Sequence, residues 1–168
     1  KCQLGVIKMA SSTSIREKYE QTSIYEQLVD EHEIINGYVD MFVFAACVGY
    51  ANERFIRNYG GDGEMLWMHV SNKELYKAVA ASIAYQHHND PEALLDKELQ
   101  LRTLAMYSAG GAELLESEFG DIKGDPTDAV LNYIQEWDEQ NDTQRRDTLL
   151  GDIMSSFESG SSADNKAD

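Results

Sequence analysis

Positive charge is scarce in this 168-residue chain, where 14 lysines and arginines stand against 30 aspartates and glutamates, a formal charge of −16. That balance excludes broad, non-specific affinity for phosphate backbones, because neutralising phosphates takes clustered cations. Three accounts of the acidity compete: a solvated shell suited to high salt, a negative patch that docks on a basic protein, and mimicry of nucleic acid. The first is favoured, since salt screens the repulsion among carboxylates. Cysteine is almost missing. Cys2 and Cys47 cannot make a disulfide framework, and Cys47, among apolar neighbours, reads as a small buried hydrophobe in a protein of the reducing cytoplasm. Long hydrophobic runs are missing too. No stretch approaches the roughly 18 apolar residues of a membrane span, so no membrane partner is expected. Lys1 to Lys8 lack the apolar run of a secretory signal, and Met9 is a candidate natural start. Proline occurs only as Pro91 and Pro126, each directly after an aspartate, the arrangement of a helix cap followed by the first helical position.

What is present is a segment, Tyr38 to Tyr50, that is nearly all apolar and leaves no face for water; it reads as a helix buried on most sides, running from Tyr38 to about Asn58. The glycine-rich stretch Asn58 to Gly63 is its expected stop and a loop. A shorter helix is expected before it, with Ile24, Tyr25, Leu28 and Val29 at helical spacing, Thr22 or Ser23 as cap, and a break over His32 to Gly37. Met65 to Val70, short and bounded by turn-formers, suggests a small strand element near Trp67. Ser71-Asn72-Lys73-Glu74 has the form of a capping box for a helix carrying Leu75, Ala78, Val79, Ser82 and Ile83 on one face to about His87. Asp90-Pro91 then opens a helix with Leu94, Leu95, Leu99, Leu101 and Leu104, which Gly110-Gly111 is expected to end. A short piece from Ala112 to Phe119 follows, and Asp125-Pro126 begins a helix with Val130, Tyr133, Ile134 and Trp137 on a stripe. A last helix is expected from Thr143 to Phe157. The fold class is therefore mainly α, a compact multi-helix domain of about six or seven helices. Residues 1–20 read as a flexible leader, 21–158 as one helical domain, and 159–168 as a disordered tail.

Catalytic and metal signatures are weak throughout. The adjacent His87 and His88 would point about 100° apart on a helix and bind one ion poorly; with His32 and His69 they show no ligand spacing, so no metal or cofactor is expected. Glu31, Glu33, Glu113, Glu116 and Glu118 read as solvated faces, because a carboxylate becomes catalytic through burial or a specific partner. The Asn58 to Gly63 loop fails as a phosphate cradle, having no Lys-Ser or Lys-Thr after it. Buried Cys47 would be a poor nucleophile. Trp67 and Trp137 read as core or interface anchors. The close cationic pairs of the first half, Arg16 with Lys18 and Arg54 with Arg57, are the candidate nucleic-acid contacts, Arg54 and Arg57 lying one helical turn apart.

Two segments carry a resemblance. Ile34 to Tyr50, with Asp40 and the run Phe44-Ala45-Ala46-Cys47-Val48-Gly49-Tyr50, resembles the "FAA-x-x-GY" pattern of the Dnd system-associated protein four family. Tyr107 to Leu115, with its paired glycines, resembles that family's second signature. The resemblance spans about Ile24 to Trp137, and the acidity together with the extension after Trp137 fits a haloarchaeal member. It implies a small accessory protein of a DNA phosphorothioation-linked antiviral defence system, in which sulfur replaces a non-bridging backbone oxygen. It carries over no catalytic residue. The expected function is non-catalytic, through contacts with the modification or restriction proteins of the system. The alternative is a DNA-binding regulator in which Arg16, Lys18, Arg54 and Arg57 converge on one face. Homo-oligomerisation is also expected, from the apolar content of the Tyr38 to Tyr50 helix.

Overall fold

The computed structural model describes residues 14–140. In chain order these form strand β1 (Arg16–Tyr19), helix α1 (Ser23–Tyr25) continuing as a π-helical turn (Glu26–Glu31), helix α2 (Tyr38–Ala51), strand β2 (Gly63–Leu66), helix α3 (Trp67–Ser71), helix α4 (Glu74–His88), a 3-10 turn (Pro91–Leu94), helix α5 (Lys97–Phe119) and helix α6 over 127–140. The architecture is mainly α with one two-stranded antiparallel sheet. The described residues fall into two compact units that divide between Asp125 and Pro126. The second unit contains α6, with the Tyr133 and Trp137 rings 6.3 Å apart. The expected helix Thr143 to Phe157, the tail from 159, and Cys2 lie outside the described residues.

Helix α2 is the core of the first unit. Met41, Phe42, Ala45 and Ala46 are fully buried, and Phe44 and Cys47 are half-buried, as a segment without a polar face requires. Its main partner is α5. Side chains are small where the two helices meet: a Cβ built on Gly111 would collide with the Ala45 carbonyl, and one on Gly49 with the Tyr107 carbonyl and, at 2.9 Å, with the Gly111 nitrogen. The helices approach backbone to backbone, a separation that side chains of ordinary size prevent. This explains why Gly110-Gly111 does not end the helix, as the sequence suggested. Intrinsic glycine cost is outweighed by packing, and α5 runs unbroken for 23 residues to Phe119, with Gly120 as cap. Beside the crossing, Tyr25 and Ser108, both buried, share a 2.8 Å hydrogen bond.

Five other expectations are corrected. Helix α2 stops at Ala51, well before Asn58. Asn52 Nδ2 donates to the Val48 carbonyl (2.8 Å), Glu53 takes a left-handed φ of +53°, and the Arg54 N–H donates to the Gly49 carbonyl (2.8 Å), which together close the helix end. Arg16–Tyr19 is a strand inside the segment read as a flexible leader; it pairs antiparallel with β2 in the register Arg16↔Leu66 to Tyr19↔Gly63 and buries Ile15 and Tyr19. The capping box at Ser71 does not form. Ser71 ends α3 and donates weakly to the Met68 carbonyl (3.4 Å), and Lys73 occupies the N-cap of α4 without a side-chain cap bond. On α4 the buried positions are Ala80, Ile83 and Ala84, while Leu75 is 70% exposed. Asp90 does cap the turn at Pro91, accepting from the Glu92 N–H (2.9 Å), but that turn is only one 3-10 turn, and Asp96 caps α5 afresh by accepting from the Leu99 N–H (3.0 Å). The small strand element expected near Trp67 is β2, which ends at Leu66. Trp67 starts α3 and is buried.

Candidate functional site

The early end of α2 sends the chain across α5. The Ile56 N–H donates to the Met106 carbonyl (3.0 Å), and the Arg54 carbonyl lies so close to Gly110 that a Cβ there would collide with it. This anchored segment inserts Phe55 edge-on against His87 (centroids 5.1 Å) and Tyr107 (5.4 Å). The next turn places the Arg57 guanidinium 5.6 Å from the Phe55 ring centre, a cation–π contact. Gly61, with φ +128° and no room for a Cβ beside the Tyr19 carbonyl, then leads into β2.

Between β1, this segment and α5 lies an open pocket of about 530 Å³. Lys18 and Glu17 reach it from β1, Arg57 and Tyr59 from the crossing segment, and Arg102 and Met106 from α5. Arg102 Nε lies 3.7 Å from Glu17 Oε2. Burial, reinforced by the negative charge of Glu17 and a hydrogen bond to it, pushes the Tyr59 phenol well above its ordinary pKa, so that it stays protonated.

The structure brings together two of the four cations nominated from the sequence. Lys18 and Arg57 share the pocket. Arg16 instead pairs with Glu64 (3.2 Å) across the sheet, and Arg54 with Glu113 (2.6 Å) on α5. Arg54 and Arg57 are not a turn apart on a helix, because α2 ends before both. Arg102 went unnoticed in the sequence. It stands alone between Leu101 and Thr103 in a segment read for its leucines, and no spacing links it to residues more than forty positions earlier.

His87 and His88 are tied into the same region. His87 Nδ1 and the Tyr107 hydroxyl are 2.9 Å apart, as are His88 Nε2 and Thr103 Oγ1. The two imidazoles meet edge to face at 4.7 Å. Burial, then the neighbouring His88 and Arg57, lower the His87 pKa, which disfavours the charged form of its ring. Among the described residues, no three His, Cys, Asp or Glu side chains gather as a metal site. Cys47 has its thiol pushed up by burial, which disfavours the thiolate. No described helix is long and apolar enough to cross a membrane.

A second hollow, about 310 Å³, lies where α1 and its π-turn face the start of α2, and is lined by Thr22, Glu26, Asp30 and Tyr38 among others. Tyr38 donates to Asp30 Oδ2, and that bond, more than burial, holds its phenol up at about 12. Thr22 Oγ1 is buried there without a hydrogen-bond partner among the described residues, and the cap expected of it is not made.

The two segments that carried the family resemblance turn out to be the two sides of one contact, Ala45 and Gly49 of α2 against Tyr107, Gly110 and Gly111 of α5 and the chain that crosses it. No curated protein and no solved structure matches the chain. A family model, DNA sulphur modification system-associated protein 4, matches residues 14–152 and so takes in both sides of that helix crossing and the whole pocket; the chain belongs to this family.

Proposed function

We propose that this protein is a non-catalytic accessory component of a DNA sulphur modification system serving antiviral defence, and that it acts by docking on the modification or restriction proteins of that system. The supporting observation is the distribution of charge. Arg16, Arg54, Lys73, Lys77 and Arg102 are all engaged by carboxylates. Many more carboxylates stay exposed, notably Glu26, Glu31 and Glu33 around the π-turn and Glu118 and Asp121 at the end of α5. Ser23 Oγ donates to Glu116 Oε1 (2.5 Å), which draws the end of α5 beside the start of α1 and joins these acidic stretches. Such a surface suits a basic protein partner, to which it lends orientation and a fast, salt-sensitive association. Mixing the purified chain with the products of neighbouring genes should give co-elution at low salt that weakens as salt rises. Charge reversal at Glu26 and Glu118 together should weaken it further, and an absence of co-elution at any ionic strength overturns the reading.

Direct contact with DNA, as a regulator of the same system, is the second reading, favoured by the one observation that Lys18 and Arg57 face a common pocket. A mobility shift at low salt that is lost in Lys18→Glu and Arg57→Glu but kept in Arg16→Glu supports it. A blank gel at low salt removes it.

A further inference from the structure

Lys18, Arg57 and Arg102 come from a strand, a crossing segment and a helix, yet they line one pocket. Three cations against a single carboxylate, Glu17, leave two positive charges in the lining. In a chain with 30 acidic side chains this is unexpected, because like charges repel and counter-charges are plentiful. Arg102 is partly neutralised by Glu17 at 3.7 Å, while Lys18 and Arg57 have no ion pair among the described residues. Arg57 is also positioned in advance: its guanidinium rests over Phe55, which is itself held by His87 and Tyr107.

The pocket's chemistry narrows the ligand. A phosphate monoester carries about two negative charges at neutral pH and presents several acceptor oxygens. Charge-assisted hydrogen bonds from guanidinium and ammonium groups are the strong ones for such an ion. The lining also includes Tyr59, neutral because its phenol keeps its proton, and Met106. A volume of about 530 Å³ is within the range of small-molecule sites and holds more than a bare oxyanion.

We propose that this pocket binds a phosphate monoester of nucleotide size, with its phosphate among Lys18, Arg57 and Arg102 and its flat body against Tyr59 and Met106. The glycines of the adjoining loop do not cradle the phosphate; the side-chain cations hold it.

The test is calorimetric titration of the full chain at low salt with each of the four ribonucleoside 5′-monophosphates, the parent nucleosides, and a dinucleoside joined by one phosphodiester. At least one monophosphate should bind, with its nucleoside and the diester each about tenfold weaker or worse. Arg57→Glu and Lys18→Glu should each weaken binding at least tenfold, while Arg16→Glu, a surface change at a residue paired with Glu64 outside the pocket, should leave it unchanged. All three positions are exposed, and unaltered circular dichroism confirms that each variant is folded. His87 supplies a second readout. Arg57 helps to lower its proton affinity, so phosphate at Arg57 should move the imidazole titration in an NMR experiment upward, toward the ordinary histidine value. Failure of all four monophosphates to bind at millimolar concentration overturns the proposal. So does equal affinity for nucleoside or diester, or an Arg16→Glu loss as large as that of Arg57→Glu.

Discussion

Tyr25 and His87 show what single side chains do here. Tyr25 is 1% exposed and its hydroxyl shares a hydrogen bond with the buried Ser108 hydroxyl. Removing one partner leaves the other desolvated without a bond, which costs about 1–3 kcal/mol. Tyr25→Phe should therefore lower stability by that amount in urea unfolding, and the double variant Tyr25→Phe with Ser108→Ala should lose less than the two single losses added. His87 titrates below its ordinary value because burial and the neighbouring His88 and Arg57 disfavour its charged form. A base whose folded pKa is depressed contributes stability that is present above the unfolded value of 6.5 and is lost as pH falls through the folded value. An NMR titration should place the His87 midpoint below 6.5, and Arg57→Ala should raise it.

At the scale of elements, the crossing of α2 and α5 organises the first unit. Gly49 and Gly111 are there because nothing larger fits between the two backbones. Gly111→Ala places a methyl group against the Ala45 carbonyl, part of a helix backbone that cannot move alone, and should cost about 3 kcal/mol, near the upper end of overpacking penalties. Gly60→Ala, with nothing within 4 Å of the added carbon, should change stability by no more than about 0.5 kcal/mol. Thermal unfolding of the two variants side by side measures the contrast. An equal effect would show that α2 and α5 are not in backbone contact. The same crossing positions the pocket, because the segment carrying Arg57 is held down by Met106 and by the space above Gly110.

For the molecule as a whole, two forms of charge govern stability. A formal charge of −16 makes the folded chain repel itself, and the Debye length shrinks from about 10 Å at 0.1 M salt to about 3 Å at 1 M. The melting temperature should therefore rise with sodium chloride over that range, and a fall would mean that the exposed carboxylates do not act in concert. At the alkaline end, Tyr19, Tyr25, Tyr38, Tyr59, Tyr76 and Tyr107 all have raised pKa values, Tyr38 through its bond to Asp30 and the others first through burial. A phenol held protonated by the fold contributes stability that is complete below the ordinary value of 10 and is lost as pH rises through the folded value. Unfolding followed by tyrosine absorbance should show stability declining from about pH 10 upward, with the buried phenols ionising together as the chain opens.

Much of the helical plan was readable because it rests on local chemistry. The apolar run of α2 has one stable location, and Asp90 caps the turn at Pro91 whatever surrounds it, although the α-helix itself begins only at Lys97. Gly120 likewise ends α5 where the pattern stops. What depended on distant parts of the chain was misread. Strand β1 exists because β2, some fifty residues later, supplies its hydrogen bonds. Gly110-Gly111 reads as a break only until α2 lies against it, and Ser71 to Glu74 reads as a cap only until α3 claims Ser71. The sequence by itself determined the mainly helical class, the identity of the central helix and the acidic character, all of which follow from composition and periodicity along the chain. The pocket was decided by tertiary structure alone: Lys18, Arg57 and Arg102 share no spacing, and only the strand pairing and the close passage of the chain over α5 bring these three residues to the lining of one pocket.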